Sequence, residues 1–212
     1  IHGISEAALV AAHIGFGARR LHCDVEGLLV GLEEVGEVMA LTRNESAVHE
    51  KIGIYGGVKL GAEAGVVLGD EIDLRVFGRK WRHAFAVEKT DEAGTRRSLQ
   101  FFDAAGDAVH KVHLKERSRL DTYEALVARF VSDDRSPEFL PAANPPEAPG
   151  GAPASREELY EAWRAMTDTH QFHGVLKRLN LKRFDAIEMA HEDFAWPLEL
   201  DGTARMLNAA AV

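Results

Sequence analysis

Apolar positions follow two different periods along this chain, and the change of period divides it. Near the start, Ile4, Ala8, Leu9 and Ala12 recur at helical spacing behind Ser5, a residue type that caps helix N-termini, and predict a short helix over 5–12. A second helix follows Asp24: Leu28, Leu29, Leu32 and Val35 form its apolar face, while Gly27 and Gly31 weaken it. From Glu37 the helical spacing gives way to short strand-like runs at 38–42, 66–68, 72–77, 84–87, 98–102 and 108–114, with His49 and Glu50 in a further hairpin. Turn-forming residues at 69–70, 91–94 and 103–106 separate the runs. Successive hairpins predict a large antiparallel sheet with packed helices, an α+β fold, closed by a helix over 121–131 with Tyr123, Leu126, Val127 and Phe130 inward.

Residues 132–154 hold six of the seven prolines, with Asp133, Asp134, Glu138 and Glu147 against Arg135 alone, which predicts an extended, solvated linker. Beyond it, Ser155-Arg156-Glu157-Glu158 reads as a capping box, and Leu159, Trp163 and Met166 recur at i, i+4 and i+7. Further helices are expected to start near Asp168 or Thr169, to span roughly 183–190, and to run from about Asp201 to the end. The expected organisation is therefore a first region at 1–131, a linker at 132–154 and a helical region at 155–212. Shifting the front of the chain by 178 residues lays Ala8, Leu9, Ala12 and His13 onto Ala186, Ile187, Ala190 and His191. A nearly equal shift brings Asp24, Leu28, Leu29 and Val35 close to Asp201, Met206, Leu207 and Val212, as in an internal duplication.

Composition narrows the function classes. A chain of 212 residues buries about 70% of its unfolded surface, so it folds without staples. The single Cys23 has no disulfide partner and no second thiolate for a metal site, which points to a reducing cytoplasm. A net charge of −9 demotes nucleic acid as a partner, and no apolar run approaches the length of a membrane helix. The opening Ile1-His2-Gly3 has no basic leader and reads as trimmed. The glycines at 53, 56, 57, 61, 65 and 69 match no phosphate-binding fingerprint.

Chemistry concentrates at 166–179. On a helical wheel Phe172, Val175, Leu176 and Leu179 share one side, and His170, His173, Gly174 and Lys177 the other. His170 is thus not a core histidine, and Gly174 removes the side chain that would obstruct a large flat ligand. Such a face suits a haem iron bound by imidazole nitrogen, and it also suits a solvated polar face. The i,i+3 histidine pair lacks a third zinc ligand at motif spacing. His110 and His113, three apart on a strand, face opposite ways, and these two and His49 read as structural. Trp81, Trp163 and Trp196 read as packing anchors.

Three blocks resemble the HemS/HmuS-type family of cytoplasmic haemin-binding and haemin-degrading proteins. They are 36–45 (GEVMALTRNE) with Val48-His49-Glu50-Lys51; Ile72-Asp73-Leu74-Arg75-Val76-Phe77; and 98–103 (SLQFFD) with Ala108-Val109-His110-Lys111-Val112. Thr167-Asp168-Thr169-His170-Gln171-Phe172 resembles the start of that family's second repeat, where its proximal histidine resides. The resemblance implies a tandem-duplicated architecture, of which this chain would hold the first repeat and the helical start of the second, without the second sheet or the helix expected before Ile4. It implies haem b as ligand or substrate, His170 as the iron ligand, His173 as an alternative ligand, and Arg183 near a propionate. Arg75 would face the distal side, stabilising iron-bound oxygen in a degrading enzyme, with Phe77 against the macrocycle. Read as residues alone, Arg75 also suits a pair with Glu71 or Asp73, Phe77 the sheet core, Arg183 a helix N-terminus and His173 the surface.

Two functions follow from the resemblance. One is a cytoplasmic haem carrier serving haem uptake, trafficking and iron acquisition, with a haem importer or a haem-acceptor protein as partner and no membrane insertion. The other is a haem-degrading enzyme that opens the porphyrin ring with a reductant and O₂ or peroxide. A regulatory module acting on DNA is disfavoured by the acidic charge.

Overall fold

Ser5 caps the first helix, α1 (Glu6–Ala11), its hydroxyl accepting the Ala8 amide at 3.3 Å, but the face that packs is not the expected one. Ala7 and Ala11 are fully buried, whereas Ile4 and Leu9 are 57% and 52% exposed. The small alanines let α1 lie close on a satellite core of Phe85, Phe102, Ile14 and Ala18, and the Ala7 amide donates to the Gly106 carbonyl at 3.0 Å. In this computed structural model residues 3–44, 47–61, 64–144, 154–190 and 193–210 are described, within two compact units, Ile1–Pro145 and Pro146–Val212. Glu45 of the first motif block, residues 145–153 of the proline-rich stretch, and His191 and Val212 of the repeat match lie outside the described residues.

In the first unit β1 (Ala18–Leu21) leads to α2 (Val25–Val35), β2 (Gly36–Arg43), β3 (Val48–Gly53), β4 (Lys59–Leu60), β5 (Gly65–Leu68), β6 (Asp73–Val76), β7 (His83–Asp91), β8 (Gly94–Phe102), β9 (Ala108–Ser118) and α3 (Leu120–Phe130). One antiparallel sheet has the order β1-β7-β8-β9-β2-β3, with β3 at its edge, and β4-β5-β6 form a small second sheet. The α+β expectation therefore holds. Leu28, Leu29, Leu32 and Val35 of α2 and Tyr123, Leu126, Val127 and Phe130 of α3 are buried as their spacing requires, in one core with Leu99, Phe101 and Val112 of the sheet. The two glycines counted against α2 are its contact points. A Cβ on Gly27 would lie 2.6 Å from the Phe130 ring, and one on Gly31 would lie 2.2 Å from Leu126, so α3 approaches to a distance only glycine permits.

Strand β1 carries no hydrophobic run because Arg19 and Arg20 occupy its centre. It is held by its ladder to β7, from Ala18 opposite Val87 to Leu21 opposite Ala84, and by ion pairs of Arg19 with Glu124 at 3.0 Å and Arg20 with Asp134 at 3.1 Å. Arg20 also donates to the carbonyls of Ser136 and Glu138, at 3.1 and 2.9 Å. Further on, the Phe139 ring meets His83 edge-on at 4.8 Å, and the Ala142 amide donates to the Ala104 carbonyl at 2.8 Å. The start of the proline-rich stretch is thus extended but strapped along the first unit.

The second unit contains α4 (Arg156–Arg164), α5 (Gln171–Leu179), α6 (Arg183–Met189) and α7 (Gly202–Ala210). The capping box at Ser155 and Glu158 is formed in both directions. Leu159, Ala162, Val175, Leu176, Leu181, Ala186 and Ala190 are its core, with Trp163 packed between Phe172 at 4.5 Å and Phe194 at 5.0 Å. Ala186 and Ala190 are buried at the i,i+4 spacing of Ala7 and Ala11, one residue out of step with the repeat read from sequence. Trp81 is a core residue as expected, but Trp196 is 67% exposed and so is not the packing anchor expected; it stands with Leu198 and Leu200 in an irregular, exposed segment. Among the described residues no helix is long and apolar enough to cross a membrane.

Candidate functional site

Helix α5 starts from a turn organised by one carboxylate. Asp168 Oδ1 accepts the backbone amide of His170 at 2.7 Å and lies 2.8 Å from His170 Nδ1, while the Gln171 amide donates to the Asp168 carbonyl at 3.1 Å. The Gln171 side chain closes the same turn, its Oε1 accepting the Thr167 amide at 2.9 Å and its Nε2 donating to Thr167 Oγ1 at 3.3 Å. A carboxylate accepts, so the His170 Nδ1 carries the proton of this contact. The His170 side chain keeps 26% of its surface exposed. Gly174, one turn on, is exposed, and a Cβ there would meet nothing within 4 Å. His173 is half-buried and Lys177 exposed, while Val175 and Leu176 face the core, so the expected division of the helix is observed.

Arg183 opens α6, exposed, with its guanidinium 6.0 Å from the centre of the Phe172 ring. Phe172 is in turn stacked on Trp163, which places Arg183 against the aromatic core of this unit. Arg75 and Phe77 belong to the first unit. Along β6 and the residue before it, Ile72 and Val76 are buried and Leu74 packs on the core, so alternation turns Asp73 and Arg75 to the opposite face, with Arg75 opposite Val66 on β5. Phe77 leaves the strand at φ −103° and ψ 85°, half-buried and outside the main core cluster, so it is not a sheet-core residue. His170, His173 and Arg183 thus share one unit, and Arg75 and Phe77 the other.

Sequence reasoning passed over three features. Asp168 was legible as a helix start and as part of a motif, not as the partner of His170; its signal is a carboxylate two residues before a histidine at a helix start. His110, 2% exposed, joins a buried chain: Tyr55 Oη lies 2.6 Å from its Nε2 and Thr42 Oγ1 lies 2.8 Å from its Nδ1. Burial, reinforced by His113, pushes the His110 imidazole down to about 3, so it is neutral, and burial raises the Tyr55 hydroxyl well above its usual range. Tyr55 donates into Nε2 and the Nδ1 proton goes to Thr42, the arrangement that leaves no buried hydroxyl hydrogen unmatched. At the end of this chain is a cavity of about 260 Å³ lined by Thr42, His49, Lys51, Glu71, Asp73 and Leu74. His113 faces the other side of the sheet, opposite Ser98. Burial pushes the Cys23 thiol up to about 12, so it stays protonated and unreactive. Among the described residues no three His, Cys, Asp or Glu side chains are grouped to hold a metal ion.

Residues 3–130 match the family model described as the haemin-degrading HemS.ChuX domain. Over 210 residues the chain is 40% identical to the hemin transport protein HmuS of Yersinia pestis, an alignment that covers 98% of this chain and 60% of that protein. Among solved structures it is similar to holo-PhuS, a heme-binding protein from Pseudomonas aeruginosa, with a TM-score of 0.82 and 39% identity over 98% of this chain and 61% of that one. It is also similar to the heme degrading enzyme ChuS of Escherichia coli O157:H7, with a TM-score of 0.77 and 36% identity over 98% of this chain and 60% of that one. The chain spans about 60% of the length of the relatives it matches.

Proposed function

This chain belongs to the haemin-degrading HemS/ChuX family, and on that footing we propose that it is a cytoplasmic haem-binding protein whose iron ligand is His170 Nε2. The observation that carries the reading is the His170 ring: Nδ1 is engaged by Asp168 at 2.8 Å, so the reading takes Nε2 as the iron-binding nitrogen, and at the neighbouring Gly174 an added Cβ would meet nothing within 4 Å, room that a flat ligand would use. A neutral imidazole is the donor that ferric haem takes. In this reading Arg183 and Lys177 answer the propionates, and His173 is a second imidazole within one turn of the first. Haem is then cargo, received from an importer and released to an acceptor protein.

Haemin titration followed by absorbance tests the site, comparing the unaltered chain with His170→Ala and His173→Ala. Saturable one-to-one binding with a Soret shift lost in His170→Ala alone is the expected result. Equal binding by all three, or by none, overturns the assignment.

The similarity to a heme degrading enzyme favours a second reading, in which haem would also be substrate and Arg75 would be the residue that supplies positive charge for ring opening. Reductant and O₂ in the presence of catalase then bleach the Soret band and leave a linear tetrapyrrole. Bleaching that catalase abolishes is peroxide damage and counts for the carrier. The carrier reading in turn requires an apo acceptor to strip haem faster than haem dissociates spontaneously.

A further inference from the structure

Asp168 does more than start a helix. Its Oδ1 is shared between the His170 backbone amide, at 2.7 Å, and the His170 ring, at 2.8 Å, so one anion fixes both the turn and the imidazole that projects from it. A neutral acceptor would serve the turn equally well, since Asn and Asp side chains alike accept the backbone amide two residues on. What the carboxylate adds is a negative charge in contact with the ring N–H. A charge-assisted hydrogen bond of this kind is stronger than a neutral one and moves electron density towards the opposite nitrogen. An electron-rich axial nitrogen stabilises iron(III) more than iron(II).

We infer that Asp168 is a positioning residue that sets the tautomer and donor strength of His170, so that the site retains ferric haem in preference to ferrous haem. The inference rests on His170 being the iron ligand, and it adds a control on release: one-electron reduction of the iron by an external reductant weakens the grip of the site. The ring is directed from within its own turn, by a residue two positions away.

The full chain is prepared with Asp168→Asn, Asp168→Ala and His170→Ala, and each protein is loaded with haemin. Two readouts are used: the iron–histidine stretching band of the ferrous form, by resonance Raman, and the reduction midpoint of the bound haem. Asp168→Asn keeps the turn acceptor and loses the charge. Its stretching band is expected at lower frequency and its midpoint at higher potential than in the unaltered chain, with an intact fold by circular dichroism. Asp168→Ala loses orientation as well, and its haemin affinity is expected to fall about 10–100-fold. His170→Ala is expected to lose the band entirely. If both Asp168 variants keep the frequency, midpoint and affinity of the unaltered chain while His170→Ala loses the band, the role of Asp168 is refuted and the ligand stands. If His170→Ala retains the band, ligand and positioning role fall together.

Discussion

Replacing His110 by glutamine turns the buried Tyr55–His110–Thr42 chain into a measurable pH dependence of folding. In the folded protein the imidazole is held neutral, its affinity for a proton lowered from the usual 6.5 to about 3 by burial and by His113. The unfolded chain takes up that proton as the pH falls below about 6.5, and the folded chain does so only near 3. The stability contributed by the neutral ring is therefore complete above pH 6.5 and declines through the interval down to about 3, at roughly 1.4 kcal/mol per pH unit. Between pH 7.5 and pH 5 the loss from this one group comes to about 2 kcal/mol. Burial also holds His83 and His113 below their ordinary values, and these add the same sign of dependence, but they are present in both proteins and cancel in the difference. His110→Gln begins at pH 7.5 about 1–3 kcal/mol below the unaltered chain, because the amide does not reproduce the two ring-nitrogen positions that Tyr55 and Thr42 meet. Urea titrations followed by the circular dichroism of the sheet should then show that gap narrowing by about 2 kcal/mol at pH 5, a relative midpoint shift of roughly 1 M. Parallel pH dependence in the two proteins would refute a neutral, proton-excluding His110.

Two other substitutions probe the frame of the first unit. Gly17 sits at φ +112°, and a Cβ there would lie 2.4 Å from the Glu88 carbonyl oxygen, so Gly17→Ala should destabilise the unit by about 2–4 kcal/mol, read as a lowered urea midpoint. Arg20→Ala removes the cation that holds Asp134, Ser136 and Glu138, so limited proteolysis within 132–144 should accelerate, with a stability loss of about 2–3 kcal/mol; unchanged cleavage there would mean that the strap is held by Phe139 and Ala142 alone.

Helices α2 and α3 were readable because their buried residues are large and regularly spaced, and the sheet because its runs are bounded by turn chemistry. Helix α1 misled because hydrophobicity is not what docks it: Ala7 and Ala11 are the small residues that allow contact with Phe85 and Phe102, whereas the greasier Ile4 and Leu9 face outward. Strand β1 was missed because what holds it, a ladder to β7 and ion pairs to Glu124 and Asp134 more than a hundred positions away, leaves no hydrophobic run in its own sequence. Gly27 and Gly31 look like weaknesses when propensity is considered alone, and become closest-approach points once α3 is beside them. At the candidate site the histidine face of α5 followed from periodicity. The grip of Asp168 on His170 did not, because a carboxylate at a helix start is ordinarily a cap and nothing more. Trp196 shows the converse error, a large aromatic ring assumed to be buried on the strength of its size.

Strand β3 ends the main sheet, and its first five residues, Val48 to Ile52, are exposed on both faces. A row of backbone amides and carbonyls at such a border is a template on which any extended peptide, including another copy of this strand, can crystallise into a growing ribbon. Val48 and Ile52 would encourage that growth. The three residues between them, His49, Glu50 and Lys51, place opposite charges and an imidazole where an incoming strand would have to strip away their water. The polar centre of this border thus sets a desolvation cost against edge-to-edge pairing that its two flanking aliphatic residues would otherwise invite.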